Sequence, residues 1–222
     1  SLFRLHLDTS EFPTLSTHKY RYFTVIVDDF TKYIWIALFR KKTHIGQGLI
    51  EYILDLEKQF QQDVRIIKSD KGTEFVNDTF LSWMSSKHIQ KEYSSPDQPQ
   101  QNGVAESNVK RLKVRSYLLL NHAALPNCYW EYALYCSCFL LNRTYHFGIK
   151  DVPFHRLFGR YPDYTRLRVF GSVGHFLTNK KYPKNKKKCL FLGYDIESKG
   201  YIILDLEDKV YRSVHSVNLL EH

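Results

Sequence analysis

Cysteine is scarce and unpatterned: the four residues Cys128, Cys136, Cys138 and Cys189 form no CxxC pair. A zinc finger or a dithiol redox motif cannot be built from that spacing, and sparse thiols suit a reducing compartment. No apolar run reaches the length that spans a bilayer, and the N-terminus shows no charged-then-apolar leader. No internal repeat is visible. Acids are the other shortage: 23 Asp and Glu face 32 Lys and Arg, for a net charge of +9. That balance favours a polyanionic partner, nucleic acid ahead of a membrane surface.

What is abundant is apolar and aromatic. Of the 222 residues 43% are hydrophobic and 15% aromatic, enough for one large domain or a medium domain with a small appendage. The chain begins already inside a strand pattern, as a piece of something longer would. Phe3, Leu5 and Leu7 share one face of "FRLHLD", with Arg4, His6 and Asp8 on the other. Strands follow at "RYFTVIVDDF" and "YIWIALF". The spacing then predicts a helix over 43–60 with Thr43 as its cap, and a strand at "VRIIKSD" (64–70). A helix over 77–89 capped by Asn77 or Asp78 comes next, then a strand near 90–94 and helices near 103–121 and 128–145. This order is α/β. Beyond about residue 146 the pattern changes to short strands at "RVFGSVGHFL", "KKCLFLGYD", "KGYIILDL" and "KVYRSV". The expected organisation is therefore a domain over 1–146 with trailing helices and a small β-rich unit over 147–222.

Several acids stand where strands end or helices begin. Asp8 ends the first strand on its polar face. Asp70 ends the fourth strand, with Gly72 behind it to let the chain turn. Glu106 opens a helix after the turn-forming "SPDQPQQNG", and 35 residues separate it from Asp70. Carboxylates converging at the carboxyl ends of parallel strands would bind Mg²⁺ or Mn²⁺ rather than zinc. Two such ions would serve phosphoryl transfer on nucleic acid, one at the attacking and one at the leaving oxygen. Taken singly, each acid has an ordinary reading as a turn residue, a cap or a helix-dipole partner. Asp28 and Asp29 also end a strand, and position alone does not choose between them and Asp8. Lys110 and Lys113 share a helical stripe with Glu106, and Arg111 lies between them, so this helix can face DNA phosphates. A second cluster places six lysines in 180–188 without an acid, among them Lys184, Lys186, Lys187 and Lys188. It reads as a DNA contact, a nuclear localisation signal or a solvated loop.

"YFTVIVDDFTKYIWI", "SDKGTEF", "PQQNGVAE", "LLNRT", "LRVFGS" and "KKCLFLGYD" occur in this order along nearly the whole chain. In these motifs the sequence resembles the integrases of copia-type LTR retrotransposons. The resemblance implies an RNase H-like integrase core, a mixed five-stranded sheet flanked by helices, followed by the β-rich unit. It implies a DD35E polynucleotidyl transferase with Asp8, Asp70 and Glu106 as catalytic residues and ligands of two Mg²⁺ or Mn²⁺ ions. The Asp28–Asp29 pair is then structural. It further implies DNA partners (element cDNA ends and target DNA), a homo-multimer and a chromatin partner. The implied location is the nucleus, after a cytoplasmic virus-like-particle stage, with a zinc-binding domain upstream of Ser1. Some positions depart from the family: "DTSEFP" follows the first Asp, "PDQP" precedes the Gln-Gln-Asn-Gly turn, and Ser107 and Val109 follow the Glu. Two readings compete, while a third, an RNase H-like nuclease that cleaves RNA–DNA hybrids, is opposed by the "QQNGVAE" match. One is an enzyme of DNA strand transfer. The other is a catalytically silent DNA- or chromatin-binding module from a decayed or domesticated element.

Overall fold

The computed structural model describes residues 1–70, 72, 75–93, 103–177, 186–196 and 198–220. Its contacts divide the chain into two compact units that interleave in sequence, Ser1–Leu112 with Leu140–Pro162, and Lys113–Phe139 with Asp163–His222.

The first unit is built on five strands: β1 (Arg4–Glu11), β2 (Tyr22–Asp28), β3 (Ile34–Phe39), β4 (Ile66–Ser69) and β5 (Gln90–Tyr93). They lie in the order β3-β2-β1-β4-β5. The first three form an antiparallel meander, whereas β4 pairs parallel to both β1 and β5. This is the mixed five-stranded sheet that the sequence led us to expect. One face is closed by α1 (Ile45–Phe60) and α2 (Asp78–Ser86). Leu5, Leu7, Ile26 and Ile67 from the strands join Ile45, Leu49, Ile53, Phe80 and Met84 from the helices in one buried cluster.

Three local expectations change. Phe3 does not share the face of Leu5 and Leu7; it precedes β1 and is 61% exposed, while Leu2 is buried instead. Leu2 has a left-handed backbone (φ 64), and its N–H donates to Asp28 Oδ1 at 2.7 Å. That kink breaks the alternation. Thr43 caps nothing: it sits in a 3₁₀ turn over Lys42–His44, and α1 begins after it without a side-chain cap. The second helix stops at Ser86 because His88 turns left-handed (φ 55) and frees buried Ile89 to lead into β5. Asn77 does cap that helix, accepting from the Phe80 N–H at 2.9 Å.

Two longer helices follow, α3 (Gly103–His122) and α4 (Trp130–Leu141), and then the short α5 (Pro153–Phe158). α4 ends ahead of the expected 145. The next residue, Asn142, leaves the helix to bind the edge of the sheet: its Oδ1 accepts from the Ile34 N–H and its Nδ2 donates to the Ile34 carbonyl, both at 2.8 Å.

The second unit carries an antiparallel sheet in the order β10-β6-β7-β8-β9. Its strands are β6 (Val173–Leu177), β7 (Lys186–Asp195), β8 (Gly200–Asp205), β9 (Tyr211–Val214) and β10 (Asn218–Leu219). Phe176, Cys189 and Ile203 form its core with Val214, Val217 and Leu219 against them. Phe139 stacks on Tyr194 at 3.7 Å and Tyr132 on Tyr211 at 5.2 Å, which joins most of α4 to this unit.

Candidate active site

β1 has two chemically different faces. Leu5 and Leu7 enter the helix-covered core, so Arg4, His6 and Asp8 point to the opposite side. In the parallel pairing Arg4 stands beside Ile66, Leu5 beside Ile67 and His6 beside Lys68. Continued by two places, that register sets Asp8 level with Asp70, on the same face and at the carboxyl end of the strand pair. Neighbouring strands run about 4.8 Å apart, so an Asp70 that keeps this register would stand beside Asp8 where open α/β sheets bind ligands. Asp70 follows the last residue of β4. Its Oδ1 accepts from the Gly72 N–H at 2.9 Å, which closes the turn that Gly72 was expected to make.

Glu106 lies in the first turn of α3 and is exposed. Lys110 and Arg111 are exposed on the same helix, and Lys113 is half-buried. The segment 94–102 and Lys184 lie outside the described residues, so the lead-in to α3 does too.

The two aspartates suit a hard divalent ion, since carboxylate oxygens are the donors that magnesium and manganese take. Among the described residues, however, no three Asp, Glu, His or Cys side chains are gathered closely enough to hold a metal ion. The structure thus pairs β1 with β4 up to His6 and Lys68 and, among the described residues, gathers no complete ligand group that includes Glu106.

Asp28 and Asp29 have different partners. Asp28 is fully buried, and its carboxylate accepts from the Leu2 N–H, the Thr31 N–H and the Thr31 hydroxyl at 2.6–2.8 Å. Three donors leave it little capacity for a metal. Asp29 accepts from Lys32 Nζ at 2.7 Å and lies 2.9 Å from His6 Nε2. Burial alone would raise the Asp29 carboxyl, but the bonds from Lys32 and His6 outweigh it and hold it below its ordinary value. Burial pushes the His6 imidazole down, against the raising pull of Asp29. A neutral ring then donates its Nε2 proton to Asp29. On the same face Arg4 bonds Glu92 at 2.9 Å. The polar floor beside the aspartate pair is therefore His6, Asp29, Lys32, Arg4 and Glu92. Only the alternation of polar residues in β1 hinted at it in the sequence.

The lysine cluster is partly a strand. Lys186, Lys187 and Lys188 open β7, which removes the solvated-loop reading for these three. Lys186 and Lys188 are exposed. Lys187 alternates to the other side, where its Nζ is 2.7 Å from both Asp208 oxygens and 3.8 Å from buried Asp205. The bond from Asp208 outweighs desolvation and raises the Lys187 ammonium above its ordinary value.

Residues 4–99 match the integrase core domain family, and residues 175–222 match the retroviral polymerase SH3-like domain family. The chain is 32% identical over 217 residues to the retrovirus-related Pol polyprotein from transposon RE1 of Arabidopsis thaliana; this covers 95% of the chain and 15% of that protein. The chain spans about a seventh of the length of such curated relatives. A solved HTLV-2 integrase catalytic core domain, in complex with magnesium in a trimeric form, aligns at TM-score 0.53 and 18% identity, over 70% of this chain and 96% of that one. A chain of the simian T-cell lymphotropic virus intasome, solved in complex with the PP2A regulatory subunit B56 gamma, aligns at TM-score 0.56 and 14% identity, over 96% of this chain and 76% of that one. At these identities the solved structures speak for the fold. The chain thus carries an integrase core domain followed by a retroviral SH3-like domain, and the relatives it matches over nearly its whole length are Pol polyproteins of copia-type plant retrotransposons.

Proposed function

We propose that this chain is the catalytic part of a retrotransposon integrase that joins 3′ ends of element DNA to target DNA. The observation that carries the reading is the parallel register of β1 on β4, which pairs His6 with Lys68 and, extended by two residues, would set Asp8 beside Asp70. Two carboxylates side by side repel a phosphodiester, so a cation must stand between acid and phosphate before chemistry can occur. Asp8, Asp70 and, from α3, Glu106 are the proposed holders of Mg²⁺ or Mn²⁺. The bound ions would lower the pKa of the attacking hydroxyl and neutralise charge on the leaving oxygen. In the transfer, the 3′-hydroxyl oxygen of the element end bonds to a target phosphorus. The bond from that phosphorus to its bridging 3′-oxygen breaks, and the attacking hydroxyl's proton ends on the released oxygen. Lys110, Arg111 and Lys113 are proposed to grip DNA phosphates beside Glu106, and Lys184, Lys186 and Lys188 to extend the contact in the second unit, with Lys187 held by Asp208 instead. The trimeric core and the intasome among the solved relatives support multimeric action on DNA ends. Action on chromosomal DNA supports a nuclear site of work after a cytoplasmic particle stage.

The test is transfer of a labelled 3′-hydroxyl duplex into plasmid DNA, with Mg²⁺ or Mn²⁺ supplied. Joined product should require the metal and should vanish in Asp8→Asn and Asp70→Asn while circular dichroism stays unchanged. Product that survives Asp70→Asn sinks the site assignment. No product with intact DNA binding favours the silent binding module.

A further inference from the structure

Residues 143–161 carry four cations, Arg143, Lys150, Arg156 and Arg160, against one acid, Asp151. That acid is used internally: its carboxylate accepts from the Val152 N–H at 2.7 Å and lies 2.8 Å from His155 Nδ1. The arginines rest on aromatic faces. The guanidinium of Arg143 lies 4.6 Å and that of Arg160 5.7 Å from the Phe154 ring, and Arg156 lies 4.6 Å from Phe30. Stacking of this kind fixes the guanidinium plane and spares side-chain entropy when an oxyanion is bound.

At the centre of the segment the chain turns tightly. The His146 N–H donates to the Asp151 carbonyl at 2.8 Å, the Lys150 N–H donates to the Phe147 carbonyl at 3.2 Å, and Lys150 is left-handed (φ 50). The tip of this turn presents Phe147, 87% exposed, with Tyr145, 51% exposed, edge-on against it at 5.4 Å. Lys150 lies within this turn, and Arg156 and Arg160 are exposed on the same segment; with its one acid already bonded internally, the segment's charge favours a polyanion. Aromatic faces beside backbone-binding cations are what an unpaired nucleic-acid strand requires: every exposed base offers a π-face and every phosphate a charge.

We propose that this turn is a contact for unpaired DNA, in which Phe147 stacks on an extruded or frayed base while Arg156 and Arg160 hold the flanking phosphates. The proposal rests on the DNA-binding reading above and adds a preference for unpaired bases. It places no demand on the carboxylates.

Fluorescence anisotropy on the 222-residue chain tests it with three labelled probes of equal length: a single strand, an abasic single strand and a duplex. Phe147→Ala should weaken single-strand binding about tenfold, the scale of one lost base–aromatic stack, and change abasic and duplex affinity by less than about twofold. Phe147→Trp should restore the single-strand affinity. Phe147→Ala with single-strand affinity unchanged would overturn the proposal. Equal loss on all three probes would overturn it as well, since stacking cannot act on an abasic strand. Wild-type chain that binds none of the probes would defeat the DNA reading itself. A wild-type chain that binds DNA with no effect of Phe147→Ala would defeat only the turn.

Discussion

Asp28 and Asp29 are adjacent at the end of β2, yet one closes a loop and the other belongs to a charged floor. Removing the Asp28 carboxylate would leave two backbone N–H groups and a hydroxyl without their acceptor in a fully buried place. Asp28→Ala should therefore cost about 1–3 kcal/mol, seen as a lower urea midpoint, with divalent-metal affinity of the folded protein unchanged. Asp205 is the comparable acid of the second unit. Burial would raise its carboxyl, but the Asp208 and Glu207 N–H groups and Arg212 hold it below its ordinary value. The unfolded chain thus binds this proton more readily than the folded one. Its contribution is present above the ordinary value of 3.8 and is lost as pH falls through the depressed folded value. Thermal melts taken from pH 6 downward should show that loss in the wild type and a flatter profile in Asp205→Asn.

At the scale of the elements, Asn142 uses its side-chain amide as an extra strand residue. It satisfies both backbone groups of Ile34, the first residue of edge strand β3. Asn142→Ala should cost about 1–3 kcal/mol for each buried group left bare. Asn142→Asp keeps the acceptor for the Ile34 N–H but sets an anion against the Ile34 carbonyl. That variant should be less stable at neutral pH than in acid, where a protonated carboxyl donates again; a denaturation midpoint independent of pH would refute the pairing. This contact also explains where sequence reading stopped. Periodicity carries α4 on to 145, because nothing local marks Asn142 as a tertiary ligand. β10 was illegible for a related reason. Its two residues pair with β6 only because Gly174 has no side chain there; a Cβ would collide with the Asn218 carbonyl and Leu219. Elements fixed by their own pattern, such as the β1–β3 meander, α1 and the Asn77 cap, were legible. Of the site, Asp70 could be named from strand-end position; Asp8 was expected to end β1, which instead runs on to Glu11 with Asp8 paired to Val25 inside it, and the choice against Asp28 and Asp29 came from family likeness. The donors saturating Asp28 come from Leu2 and Thr31, and no spacing rule announces them.

Over the whole molecule the excess of +9 must be divided between cations committed to internal acids and cations that face solvent. Lys187 is committed: with Arg212 it brackets Asp205 and Asp208. Lys186 and Lys188, one residue to either side, point the other way and are exposed. Only the exposed ones should release counterions from DNA. Lys186→Ala and Lys188→Ala should each lower the slope of log affinity against log salt by about 0.9. The loss should be uniform over duplexes of different sequence, because phosphate contacts carry no base information. Lys187→Ala should leave the slope alone and lower the melting temperature, since it leaves Asp205 buried with one cation fewer. Binding isotherms at several salt concentrations separate the cases. Should Lys187→Ala flatten the slope as far as its neighbours do, the Asp208 pair must open on DNA, and the division of charge drawn from the strand's two faces is wrong.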